Sequence, residues 1–252
     1  MTARRPDARP MFPADAVVRR VDGERVLLVG AGRALLMQLA HPLVAKGIAE
    51  HSDFHADPYG RLRRTLAASY TMTFGTVAEA ERTAEVVRSV HERVRGEGYD
   101  ANDPELVMWV HATLIDTALR VHGRFFGGLS AAEAEEYYRQ SKRKAVLFGT
   151  PEADQPRDLA EFRDYMSWMV ATLRVSDDAR RLAHDIVYPD LPLPLAPLVR
   201  LGREVTAGLL PPSFRRQFGL YWDPLRGVAL EAAALASRLA LPTLPPVIRR
   251  VA

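Results

Sequence analysis

Four helix-opening signatures fall before residue 135, and they restrict the folds open to this chain more than anything else in it. Asp57-Pro58 reads as an N-cap with proline at the first helical position, opening YGRLRRTLAASYTMTF. Thr76-Val-Ala-Glu79 and Ser130-Ala-Ala-Glu133 are capping boxes, in which a hydroxyl and a glutamate satisfy each other's orphan backbone N–H groups. Asp103-Pro104 opens ELVMWVHATLIDTALRVHGRFF. Stop signals answer them: Gly96 and Gly98, then Gly127-Gly128, then Gly149. Alternating strand patterns bounded by Asn-Gly or Asp-Gly turns are absent. Proline clusters at 151–156, 189–197, 211–212 and 242–246 mark connections in the second half. With no internal repeat and 48% apolar residues in 252, the expectation is one all-α globular domain of about nine or ten helices. Its bounds are expected at 20–241, between an N-terminal extension, 1–19, and a Pro-rich C-terminal tail, 242–252.

The stretch VLLVGAGRALLM, residues 26–37, tests that reading. Val26 to Val29 could be a buried strand and Gly30-Ala-Gly32 the tight turn of a dinucleotide site. However, Leu35 occupies the third glycine position, and no second strand ending in an acidic residue follows at the expected spacing. Apolar residues instead recur at helical intervals, Leu35, Leu36, Leu39, Leu43 and Ile48. Gly30 and Gly32 are therefore expected at a helix start or inside a helix, close to a neighbour.

Several function classes drop out. Thirty-four basic residues against 31 acidic leave a net charge of only +3, with the arginine pairs dispersed, so no nucleic-acid surface is indicated. The chain has no cysteine, which removes disulfides, thiolate metal sites and cysteine nucleophiles. Residues 26–48 are the nearest approach to a membrane span. Arg33 lies inside them at a cost of roughly 2.5–3.5 kcal/mol, so no transmembrane segment is expected. MTARRPDARP leads into charged residues rather than an apolar run, so no secretion signal is read and a cytoplasmic location is expected. G-x-S-x-G, P-loop and kinase signatures are missing.

Arginines and histidines carry what chemistry remains. Arg61, Arg64 and Thr65 share one helix face, where two guanidiniums beside a hydroxyl could hold a carboxylate or propionate; a solvated basic face is the competing reading. Arg88 and His91 stand one turn apart among Val86, Val87, Val90 and Val94. A histidine there is either a hydrogen-bonded core residue or a ligand. His111, among Met108, Trp109, Leu114 and Ile115, reads as core, and His41 precedes Pro42 at a kink or new turn. His51 and His55 lack the glutamate of a zinc-protease motif, since Ser52 follows His51. No histidine has an acidic residue three positions before it, which excludes a di-metal helical bundle. Histidines on apolar faces with arginines nearby are what a buried haem requires.

Taken in order, GRALLMQLAHPLVAKGIAEHS, DPYGRLRRT, FGT, VRSVHERVRG, DPELVMWVHATLIDT, the YY and LFG within 137–149, and TAGLLPPSFRRQFGLYW resemble the family that contains the fungal MpaB-type oxygenases and the bacterial latex-clearing rubber oxygenases. The likeness runs from about residue 20 to about residue 225. It implies an all-helical fold enclosing haem b, with its iron, and dioxygen-dependent oxidation of a small hydrophobic substrate. Isoprenoid double bonds are cleaved in the characterised branches. The rubber-oxygenase branch takes its proximal iron ligand from an Arg-x-x-His pair, which Arg88-Ser-Val-His91 matches, implying His91 as the metal ligand. Its distal Arg-x-x-Lys-Thr is matched by Arg61-Leu-Arg-Arg64-Thr65 except for arginine at the lysine position. A guanidinium stays protonated and offers no lone pair. Arg64 is thus expected as a polar distal or propionate-binding group, leaving the sixth iron position to water, oxygen or His41. Glu50 is the nearest acidic candidate for the glutamate base of that branch, with a plain surface role as its competitor. A helical haem- or small-molecule-binding protein without turnover stays open as the alternative. Oligomeric state is left undetermined.

Overall fold

The computed structural model describes residues 8–51, 58–189 and 193–251, side chains 58–63 and 193 aside. The expected all-α class is observed as a single domain. Its helices are α1 (Val17–Asp22), α2 (Ala31–Leu39), α3 (Pro42–His51), α4 (Pro58–Phe74), α5 (Val77–His91), α6 (Pro104–Phe125), α7 (Ala131–Leu147), α8 (Leu159–Thr172), α9 (Asp177–Val187), α10 (Ala196–Leu209), α11 (Pro212–Gln217), α12 (Pro224–Ala240) and α13 (Pro246–Arg249). Asp57, Ser52, His55 and the side chain of Arg61 lie outside the described residues.

The capping signatures position the first half of the chain as read. Thr76 and Glu79, and Ser130 and Glu133, form reciprocal capping boxes at α5 and α7, and Asp103 caps α6 through the Glu105 N–H. Gly127, Gly128 and Gly149 close α6 and α7 with positive φ, where a Cβ would be strained. Thirteen helices among the described residues exceed the expected nine or ten because proline clusters read as connections host short helices. Both α11 and α13 begin with proline at the first helical position, where its missing N–H costs nothing. A second difference follows α5, which ends at His91, short of the glycines. The antiparallel hairpin β1 (Arg95–Gly96) and β2 (Tyr99–Asp100) comes next, turning at Gly98 with φ of 83°. The turn residues are Glu97-Gly98, and two-residue strands are too short to display alternation.

Residues 25–51 break rather than span. Arg25–Gly30 is a 3₁₀ helix, α2 follows, and α3 departs at 101° where Pro42 restarts the chain. No single helix among the described residues is long and apolar enough to cross a membrane. Gly30 and Gly32 sit where helices meet. A Cβ on Gly30 would lie 2.6 Å from Thr117 Cγ2 of α6, and one on Gly32 would lie 2.2 Å from Thr206 Oγ1 of α10.

The central helix is α6, which buries Trp109, Ala112, Ile115 and Val121 against its neighbours. The main core gathers α1, α2 and α6 to α9, and a smaller one joins Val121 and Phe125 to Val205, Leu209, Leu230 and Ala234. Both described flanks pack onto this body. Met11 and Phe12 are buried in the main core, and buried Glu24 pairs with Arg249 at 3.1 Å and Arg250 at 3.2 Å.

Candidate functional site

Arg88 and His91 occupy the last turn of α5, both half-buried. Arg88 Nη1 donates to the Leu147 carbonyl at the end of α7, which fixes the guanidinium against a neighbouring helix. The Arg88 carbonyl accepts from Asn102 Nδ2 at 3.2 Å, tying the same turn to the approach of α6. Half-buried Val87 stands one turn before His91 on the same helix, and half-buried Val94 follows in the turn after α5, facing Gly47 of α3. Val86 and Val90 on the same helix are exposed.

His41 stands in the break between α2 and α3. Its Nδ1 is buried and has no hydrogen-bond partner among the described residues. Burial lowers its pKa, against the opposing pull of Asp103 and Glu105 at the start of α6, so the ring is neutral at neutral pH. Thus the segment leading into α6 contacts the Arg88 turn through Asn102 and acts on His41 through Asp103 and Glu105.

Glu50, near the end of α3, is exposed and accepts a hydrogen bond from the Tyr99 hydroxyl at 2.5 Å. Burial, reinforced by the Glu50 carboxylate, pushes the Tyr99 pKa up to about 12. Lys46 donates to the Glu97 carbonyl at 2.9 Å and His51 Nε2 lies 3.2 Å from the Arg95 carbonyl. The hairpin after α5 therefore clamps the end of α3. Tyr99 and Asn102, which hold these parts together, carried no signal beyond the GEGYD turn residues.

Arg64 and Thr65 are exposed on α4. Only Gly75 and Thr76 separate α4 from α5, and the two helices pack as a helical hairpin. Counting outward from that turn brings Thr65 level with the last two turns of α5. Two open grooves are formed elsewhere, one of about 580 Å³ beside Val170, Arg174 and Ser213, the other of about 610 Å³ beside Arg181 and His184. None of the described candidate site residues lines either of them. The structure brings Arg88 and His91 together on one turn and links that turn to the region of His41. Glu50 and Arg64 are exposed, on α3 and α4.

His111 behaves as the sequence suggested. Its Nε2 lies 2.9 Å from the Ser141 carbonyl, and burial drops its pKa to about 4. His122, buried on α6 against Phe126, is likewise lowered to about 4, by burial first.

Residues 18–239 match the family described as ER-bound oxygenase mpaB/B'/Rubber oxygenase, catalytic domain. The chain belongs to this family. It is therefore an oxygenase catalytic domain by family, and the all-helical fold agrees with what the sequence resemblance implied. Two uncharacterized proteins, from Mycobacterium bovis and Mycobacterium tuberculosis, are each 28% identical over 217 residues, covering 82% of this chain and 85% of the relative. No solved structure matches significantly.

Proposed function

We propose that this mpaB/rubber-oxygenase family member is a haem b-dependent oxygenase that uses dioxygen to oxidise a small hydrophobic substrate, an isoprenoid alkene being the favoured class. The observation that carries the reading is the Arg88–His91 turn, a half-buried imidazole one turn after Val87 with an anchored guanidinium beside it. The donor set suits haem better than a bare ion. Among the described residues no three His, Asp or Glu side chains group to hold a metal, whereas haem asks the protein for a single strong imidazole bond. Bound haem would supply dioxygen activation.

The chain's own residues then have separable tasks. His91 would hold the iron through a ring nitrogen, and the apolar Val87 one turn before it would help keep water from that bond. Arg88 spends one N–H on Leu147 and keeps others for a propionate. Arg64 and Thr65 would act as polar groups toward the cofactor or its propionates, and the neutral His41 ring, whose Nδ1 has no partner among the described residues, would offer the iron a second imidazole nitrogen. Glu50 would take up an allylic proton, its carboxylate held in place by the Tyr99 hydroxyl.

An absorption spectrum of the purified protein, before and after haem reconstitution, tests the cofactor. A Soret band is expected, and none in any preparation overturns the reading. Oxygen consumption with mass-spectrometric detection of oxidised terpenoid products tests turnover; a Soret band without turnover makes the protein a haem binder instead.

A further inference from the structure

Helix α12 is apolar on two opposite faces. Leu230 and Ala234 turn inward and are buried in the smaller core. On the other side Leu225, Val228, Leu235 and Leu239 are 78, 67, 58 and 70% exposed, and Ala232 between them is exposed too. Their spacing of three, four, three and four residues is a heptad seam, the pattern by which one helix packs against another. A solvated helix face carries scattered apolar residues, not a continuous stripe of this period.

The seam is complementary to itself. Two copies of α12 crossing antiparallel about a two-fold axis at the level of Ala233 set Val228 against Leu239 of the second copy, and Leu235 against the small Ala232. Each contact recurs by symmetry. The same register brings Glu231, exposed at one edge of the seam although it pairs with Arg124 of its own chain at 2.6 Å, beside Arg238 of the second copy, whose Nε donates to its own Arg124 carbonyl at 2.8 Å, so opposite charges flank the apolar stripe twice. A parallel pairing would instead set Glu231 beside its own copy and Ala232 against Ala232, losing both fits. We infer that this face of α12 is the interface of a homodimer, two chains joined by an antiparallel α12–α12 pair. The inference does not depend on haem or on turnover.

Analytical ultracentrifugation of the full chain at micromolar concentration should give a species of twice the 28.1 kDa chain mass. Leu235→Asp, which buries an unpaired carboxylate only in the dimer, should raise the dissociation constant by about 100-fold or more. Far-UV circular dichroism should not change, because Leu235 is exposed within the protomer. The chain has no cysteine, so mixing the Ala232→Cys and Leu235→Cys proteins under mild oxidation should yield a cross-linked heterodimer. A wild-type monomer throughout the micromolar range overturns the proposal, and one that co-sediments with anionic phospholipid vesicles assigns the face to a membrane instead. A dimer untouched by Leu235→Asp also overturns it.

Discussion

Arg88 donates through Nη1 to Leu147, so one end of its guanidinium is committed to the fold before any ligand is considered. Arg88→Ala should therefore weaken haem retention and loosen the end of α7 without abolishing incorporation, read as a faster haem transfer to apomyoglobin. His91→Ala should remove the Soret band outright, since alanine offers the iron no bond. His111→Ala is the matched control, costing ~1–3 kcal/mol through a lost hydrogen bond and a cavity while the folded fraction keeps its Soret position. A normal spectrum for His91→Ala would refute the ligand assignment. Titration gives a second residue-level test. His111 and His122 fall from 6.5 to about 4 in the folded state, chiefly by burial. The unfolded chain therefore binds protons first. The stability from these neutral rings is complete above pH 6.5 and is lost as pH falls toward 4, each ring giving up at most about 1.4 kcal/mol for every pH step of one within that window. Urea midpoints should decline across that window, and His122→Leu should flatten the decline. An unchanged slope in that variant would show that His122 does not titrate this way.

Gly30 and Gly32 show what a helix can demand of its sequence. Alanine in place of glycine inside a helix ordinarily gains up to ~1 kcal/mol. Here the added methyl would meet Thr117 and Val121 at 2.6 and 2.7 Å from Gly30, or Thr206 Oγ1 at 2.2 Å from Gly32. Either substitution should cost ~1–3 kcal/mol net by forcing α2 away from α6 or α10. Gly202→Ala in α10, where the new methyl meets nothing within 4 Å, should instead stabilise by up to ~1 kcal/mol. Thermal melts of the three variants check the signs, and equal signs would refute the packing argument. This is also where sequence reading stops. Caps and the glycine stops at Gly127, Gly128 and Gly149 were legible because they are local chemistry, so α5, α6 and α7 begin where Thr76, Asp103 and Ser130 place them. The failed dinucleotide motif was legible from Leu35. Which helices the glycines admit was not, since Thr117 and Thr206 are distant in sequence. The β1–β2 hairpin that sets Tyr99 on Glu50 was missed for want of alternation.

Arg33 joins three distant parts of the molecule. Read in the sequence only as an obstacle to a membrane span, it is fully buried on α2 and pairs with Asp116 of α6. It donates to Thr117 Oγ1 of α6 and, at 2.9 Å, to the Leu209 carbonyl where α10 ends. Asp116 also receives Arg120 Nε at 2.9 Å. The partners lie 83, 84 and 176 positions from Arg33, beyond any local rule, so the cluster became visible only with the fold. Burial drives the Arg33 pKa down while Asp116 raises it, so the ion pair offsets part of the cost of burying the charge. Asp116→Ala would strand a guanidinium between α2, α6 and α10 and should cost about 3–5 kcal/mol. Replacing both partners, Arg33→Met with Asp116→Leu, removes the buried charge altogether and should recover most of that loss. Guanidinium-chloride unfolding of the single and double variants decides the matter. If Asp116→Ala is nearly neutral, Arg33 finds enough compensation in Thr117 and Leu209, and the helices are held together by apolar packing alone. If the double variant is as unstable as the single one, the cluster sets a geometry that methionine and leucine cannot reproduce, and its role is orientation rather than charge pairing.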